Sequence, residues 1–291
     1  MDHRQLAFLC ALARERHFGR AAAACHVTQP TLSARIKQLE EELGTPLIRR
    51  GRRFEGLTAE GERVLKHARL ILNEFDALRS ELDGNAPIFG RLSVGSVPSA
   101  LGEATAFLPH LRRAHPGLAI TVRELATGAL AQGLETGDLD LALGYLDSPA
   151  MAGFAHRPLY QEYPALVAAR EHFELPDQPE WSDLTRFPLC LLTPEMQQRR
   201  LLDAHLLDSG LAAAPLVETD SIATLGELLC RGVGVTVLSD RLVSQWAMLN
   251  LDVRRLPGGG ARMGLLWRAG HPRNRHLEAA LEVWRGNAAE S

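Results

Sequence analysis

Between Thr58 and Asp83 the apolar residues Val64, Ala68, Ile71, Phe75, Leu78 and Leu82 recur at spacings of 4, 3, 4, 3 and 4. That pattern predicts one helix with a heptad seam. At ~1.5 Å per residue it is a rod of roughly 37 Å, capped at its start by Thr58. The run Asp83-Gly84-Asn85-Ala86-Pro87 breaks it. A rod of this length with its own seam separates two unlike regions. Pairing with a second copy of the chain through Val64, Ala68, Ile71, Phe75, Leu78 and Leu82 is expected in preference to folding back on the short segment before it.

The segment before the rod reads as short helices. Leu6, Leu9, Cys10 and Ala13 stand at helical spacing, and Ala21 to Cys25 is a small-residue run that allows close helix approach. Thr28 offers an N-cap side chain and Pro30 suits a first turn, where its missing N–H costs nothing. The helix that follows carries the stripe Leu32, Ile36, Leu39 and Leu43, ended by Gly44. Its opposite face is polar: Gln29, Thr31, Ser33, Arg35, Lys37 and Gln38. A hairpin-like excursion then runs through Arg49, Arg50, Arg52 and Arg53 and returns at Leu57-Thr58.

After Arg91 the pattern alternates. Strands are predicted at 92–97, 119–125 and 139–145, with helices at 99–114 and 127–136, a β-α-β-α-β order that implies a parallel sheet covered by helices. A second such unit follows: strands at 165–169, 188–192, 216–219 and 233–238, and helices at 195–208 and 221–231. A strand at 263–267 and a helix at 275–285 close the chain. Two α/β units invite a cleft between them. Ligands of open α/β sheets collect beyond the carboxyl ends of strands, where helix N-termini present N–H groups. Those places are Ser96 and Ser99, Thr127, Tyr145 and Thr193, and the helix ends favour a small anion or carboxylate.

Charge separates the same regions. The whole chain of 291 residues has a formal net charge of −3. Residues 1–90, however, hold 14 Lys and Arg against 12 Asp and Glu, and the remainder 18 against 23. Between Arg14 and Arg53 the ratio is 9 to 4, a candidate phosphate-binding patch. No apolar stretch near the start approaches the ~18 residues of a membrane span, and no signal-peptide pattern precedes one, so a cytoplasmic protein is expected. Cys10, Cys25, Cys190 and Cys230 form no Cys-x-x-Cys pair, and neither a metal nor any other cofactor is signalled.

Catalytic constellations are weak. Gly95-Ser96-Val97-Pro98 lacks the last glycine of a nucleophile elbow. Gly232-Val233-Gly234 lies between a helix and a strand, the wrong order for a dinucleotide loop. Asp138 and Asp140 fit turn roles at a strand entry, and His110 and His115 face different sides of a helix. A non-enzyme is expected. The alternative is a solute-binding or enzymatic α/β protein with an incidental helical headpiece.

The run Phe18-Gly19-Arg20-Ala21-Ala22-Ala23-Ala24-Cys25-His26-Val27-Thr28-Gln29-Pro30-Thr31-Leu32-Ser33, with Ile36, Leu39-Glu40, Leu43-Gly44, Pro46-Leu47 and Leu57-Thr58-Ala59-Glu60-Gly61, closely resembles the winged helix-turn-helix of LysR-type transcriptional regulators. The resemblance extends over the whole chain. It implies an all-α winged helix-turn-helix domain at 1–58, a dimerising linker helix at 59–86, and a two-lobed α/β effector domain at 91–291, similar to periplasmic binding proteins. Lobe I is expected at 91–162 and 266–291, and lobe II at 163–265. Double-stranded DNA, a second copy in a homodimer or homotetramer, a small-molecule effector and RNA polymerase are the implied partners.

By the same resemblance Arg20, Thr28, Gln29, Pro30, Thr31, Ser33, Arg35 and Lys37 lie at or near the major groove, and Arg52 and Arg53 at the minor groove or backbone. Glutamine pairs bidentately with adenine and arginine with guanine. Family members often carry arginine where this chain has Ala34, so Arg35, turned by about 100° on the helix, is open to either a base or a phosphate. The stretch Cys190 to Met196 resembles the branch of regulators related to those of the cyanate operon and formate dehydrogenase.

Overall fold

The computed structural model describes residues 1–49, 54–82, 88, 90–246, 248–269 and 275–288. Three helices, α1 (His3–Glu15), α2 (Phe18–Ala24) and α3 (Gln29–Leu43), form the headpiece with the start of α4 (Ala59–Leu82). Each begins where a side chain satisfies otherwise orphaned amides. Asp2 and Gln5 cap α1 reciprocally, at 2.8 and 2.7 Å. The His17 ring accepts from Gly19 N at the start of α2. Thr28 accepts from Thr31 N at 3.4 Å at the start of α3. Gly44, at φ 68°, ends α3 in the left-handed conformation that the sequence predicts.

Leu9, Leu12, Leu32, Ile36, Leu39 and Leu47 are fully enclosed. Ile48 and Leu57 bridge as the base of the wing, and Glu40 holds that base by accepting from the amides of Leu47 and Ile48. The wing residues Arg50, Arg52 and Arg53 lie outside the described residues.

The linker seam divides in two, which corrects the expectation that it pairs along its whole length. Ala68 is fully buried and Val64 half-buried in the headpiece's own core, with Leu65 and Leu72 beside them. Burying these against α1 removes them from water without a second chain. Farther along, Ile71, Phe75 and Leu78 stay 37, 45 and 55% exposed. The helix reaches Leu82, whose side chain lies outside the described residues. Midway, Arg69 forms a double ion pair with Asp138, at 2.6 and 2.7 Å. This joins α4 to the loop after α6 (Thr127–Thr136).

The first α/β lobe has β1 (Gly90–Ser96), α5 (Leu101–Ala114), β2 (Leu118–Glu124), α6 and β3 (Leu141–Tyr145). These strands pair in parallel as expected, in the order β2-β1-β3. A short 3-10 turn, Pro98–Ala100, precedes α5, so the helix opens at Leu101 and not at Ser99. The sheet then continues antiparallel with β10 (Ala261–Trp267) and, at its edge, β4 (Ala155–Glu162).

Strand β4 was not apparent in the sequence, because Pro158 and alternating polar residues hide an edge strand. The second lobe holds β5 (Pro164–Ala169), β6 (Leu189–Leu192), α7 (Gln197–Asp208), β7 (Pro215–Thr219), α8 (Ile222–Cys230), β8 (Thr236–Ser239), α9 (Asp240–Ser244) and β9 (Leu251–Arg255). Strand β6 pairs in parallel with β7 and, through a bridge between Leu189 and Val235, with the segment entering β8, while β8-β5-β9 is antiparallel. The parallel expectation thus holds for the three strands of the first unit and is corrected in the second, where β5 pairs antiparallel with β8 and β9. The chain crosses between lobes at Tyr163 and returns between β9 and β10. The return thus falls at 256–260 and not at 265/266, because β10 belongs to the first sheet from Ala261 onward. α10 (Arg275–Ala288) packs back on α5, with Phe107 stacked on Trp284.

Candidate nucleic-acid interface and effector cleft

The apolar stripe of α3 turns inward, which fixes the opposite face outward. Gln29, Pro30, Thr31, Arg35 and Lys37 are exposed, whereas Ser33 is half-buried at the edge of the packed side. Thr28 is spent partly on its cap and shares a 2.8 Å hydroxyl contact with Thr31. Arg35 donates to Gln38 at 3.2 Å and Lys37 pairs with Glu41 at 3.5 Å. Arg20 donates to the Glu15 carbonyl at 2.6 Å. Exposed pairs of this kind contribute little to stability and exchange readily for phosphate.

Between the lobes lies a polar knot. Tyr145, at the end of β3, donates to Glu162 Oε1 at 2.7 Å and accepts from Gln198 Nε2 at 2.7 Å. With that proton committed, the Ser99 hydroxyl donates to the Tyr145 oxygen at 3.0 Å. Gln198 also donates to Glu162 at 2.9 Å and accepts from Ser239 N at 3.1 Å. The Ser239 hydroxyl donates to Glu162 Oε2 at 3.0 Å. Ser99 and Tyr145 come from the first lobe, Gln198 and Ser239 from the second, and Glu162 from the end of β4 at the crossing.

Glu162 is 2% exposed, and burial pushes its carboxyl above the ordinary carboxylate range against the pull of these hydrogen bonds. Burial, and then the Glu162 charge, push the Tyr145 phenol well above its usual value.

Two cavities flank the knot, and Tyr145 and Gln198 line both. The larger, about 300 Å³, is bounded by Asp147, Tyr163, Leu201, His205 and Gly260 among others. The smaller, about 150 Å³, is lined by Ser99, Thr127 and Glu124 of the first lobe and by Met196, Gln197 and Asp220 of the second. The structure thus brings Ser99, Thr127 and Tyr145 together. It does not bring Ser96, whose buried hydroxyl donates to Val97 O at 2.8 Å. Nor does it bring Thr193, whose amide is tied to Thr219 O at 3.0 Å and whose side chain bonds Glu195.

In place of Thr193 the second lobe offers the start of α7, two residues later than predicted. Sequence reasoning missed Glu124, Glu162, Gln198, Asp220 and Ser239. Glu162 closes a strand that went unread, and the others carry no local pattern.

A polar-faced helix on an all-α headpiece, joined by a long helix to two α/β lobes around a polar cleft, defines a helix-turn-helix regulator with a ligand-binding domain. The chain belongs to the LysR family: residues 3–62 match "Bacterial regulatory helix-turn-helix protein, lysR family" and residues 86–289 match "LysR substrate binding domain". It is similar to the DNA-binding transcriptional dual regulator OxyR of Escherichia coli K12, with 31% identity over 98% of this chain and 95% of that one. It is also similar to a hydrogen peroxide-inducible genes activator of Dickeya chrysanthemi, with 32% identity over 84% of this chain and 81% of that one. Full-length OxyR from Pseudomonas aeruginosa, carrying a cysteine-to-aspartate change, superposes with a TM-score of 0.79 at 28% identity, over 98% of this chain and 95% of that one. These three relatives do not represent the cyanate and formate branch that Cys190 to Met196 resembles.

Proposed function

We propose that this LysR-type DNA-binding transcriptional regulator reads double-stranded DNA through the exposed start of α3 and answers to a small molecule held between its lobes. The observation that carries the reading is the outward polar face, Gln29, Pro30, Thr31, Arg35 and Lys37, set on a helix whose other side is locked in the headpiece core. Arg20, Thr28 and Ser33 flank it; Arg52 and Arg53, to which the resemblance gives a minor-groove or backbone role, lie outside the described residues. The exposed apolar end of α4, Ile71, Phe75 and Leu78, supports pairing with a second copy. The effector we propose carries a carboxylate, because α6 and α7 both begin at the cleft with no side-chain cap on their first amides.

The peroxide-linked names of the relatives do not come with this reading. None of Cys10, Cys25, Cys190 and Cys230 lines either cavity. Burial pushes the Cys10 thiol up to about 11 and raises those of Cys25 and Cys190 too, away from the reactive thiolate.

The test is selection of bound fragments from genomic DNA, followed by anisotropy on the best duplex and on a random one. Gln29→Ala is expected to cost ~1–3 kcal/mol on the selected site and little on the random duplex. Lys37→Ala is expected to weaken both and to flatten the salt slope by about one unit. Equal loss on both duplexes for Gln29→Ala would remove α3 from the groove.

A further inference from the structure

The smaller cavity is not built for an anion alone. Its floor is the start of α6, where no side chain caps the helix and the Thr127 hydroxyl, on a residue 2% exposed, has no hydrogen-bond partner. The start of α7, equally uncapped, enters from the second lobe. These groups favour negative charge and leave a buried hydroxyl to be satisfied.

Yet the same wall carries two carboxylates, Glu124 at the end of β2 and Asp220 just before α8, one from each lobe. Neither has a hydrogen-bond or ion-pair partner among the described residues, and no Lys or Arg lines the cavity. A simple anion would meet both of these carboxylates at the cavity wall, and a simple cation would leave the helix ends and Thr127 unanswered.

We infer that this cavity takes a small zwitterion of the α-amino-acid class, with its carboxylate on the first turns of α6 and α7 at Thr127 and its ammonium between Glu124 and Asp220. The inference rests on the reading of the cleft as the effector site and names the class of ligand. A volume of about 150 Å³ is close to five waters at ~30 Å³ each, room for a short side chain and none for an aromatic ring. Val97, Leu125 and Ile222 supply the apolar remainder, which suits an aliphatic side chain. One ligand with two poles then ties the lobes together, because each lobe contributes to both of its ends.

Calorimetry and thermal shift on the full chain, with glycine, L-alanine, L-serine, L-threonine and L-valine against propionate and propylamine at millimolar concentration, test this. At least one amino acid is expected to bind about tenfold or more tighter than both single-charge probes. Thr127→Val is expected to weaken it about tenfold. Glu124→Gln with Asp220→Asn is expected to erase its advantage over propionate. The two carboxylates are exposed and unpaired, so the double variant leaves the fold intact.

Propionate or propylamine binding as well as the amino acids, with the variants still affecting that binding, overturns the zwitterion class while leaving the cleft in place. Amino-acid binding indifferent to all three substitutions places the ligand elsewhere and overturns the cleft reading itself. No binding by any of the five amino acids overturns the class.

Discussion

In the headpiece each functional side chain sits within a few residues of the group that places it. Thr28 caps the helix that carries Gln29 to Lys37, and Leu32, Ile36 and Leu39 on that helix anchor its back. In the interlobe cleft the reverse holds: Ser99, Tyr145, Glu162, Gln198 and Ser239 come from five separate segments yet share one hydrogen-bonded knot. The headpiece is a small apolar core with a polar outside, which loses stability through cavities. The cleft is a polar core held by hydrogen bonds around a buried carboxyl, so its stability is expected to depend on protonation. A site assembled from near neighbours is stiff and keeps its shape whatever else binds. A site assembled from distant segments has its shape set by how those segments are held, and that is what a sensor requires.

The sharpest way to break this comparison is to damage the headpiece alone. Leu39→Ala is expected to cost ~2–5 kcal/mol in that core. All four tryptophans, Trp181, Trp246, Trp267 and Trp284, lie beyond the linker. Fluorescence therefore reports the lobes while circular dichroism reports every helix. The dichroism transition should move to lower temperature and the fluorescence transition should stay; both moving together would mean that the two regions unfold as one.

A second, smaller effect tests where the linker belongs. Ile71→Asp with Phe75→Asp is expected to convert a dimer to monomer in sedimentation at micromolar concentration, with weaker DNA binding. The variant's unfolding temperature should no longer depend on protein concentration, whereas that of the wild-type dimer should rise with it. A wild-type chain that sediments as a monomer would leave the exposed stripe without a partner.

The smallest effect sharpens the cleft side. Because burial raises the Glu162 carboxyl above its unfolded value, folding favours the protonated form. The stability this group contributes is full below the unfolded value and is lost as pH rises through the folded one. Glu162→Gln imitates the protonated form, so it should unfold at higher temperature than the wild type at neutral pH, and the difference should vanish below about pH 4. A loss of stability at neutral pH in Glu162→Gln would show that the carboxyl is charged and satisfied where it lies.

The same contrast explains how far the sequence could be read. Periodicity and caps are local signals, so α3, its Thr28 and Gly44 ends and the polar face all stood in the sequence before any coordinate. The strands β1, β2 and β3, apolar runs between helices, were legible for the same reason. Strand β4 was not, because its alternation is broken by Pro158 and it lies at an edge, and with it went Glu162. Gln198 stands in the first turn of an amphipathic helix like any other polar residue. Only the packing of α7 beside β8 makes it the acceptor of Ser239 N, and only the approach of the two lobes makes it a donor to Tyr145. The linker seam misled for a related reason. The heptad spacing is real, but spacing does not say which partner covers it, and α1 takes Val64 and Ala68 before a second chain can.

The double ion pair of Arg69 with Asp138 carries a mechanical consequence. It fastens the linker to the first lobe, where α6 and α10 also meet α4. The second lobe hangs from that frame by two crossings, at Tyr163 and at 256–260. In engineering language the first lobe is the stator and the second the rotor. A ligand that draws the lobes together turns the second against a body already rigid with its own linker. The motion is therefore expected to leave the subunit through the outer surface of the rotor and to be felt first by whichever neighbouring chain rests there.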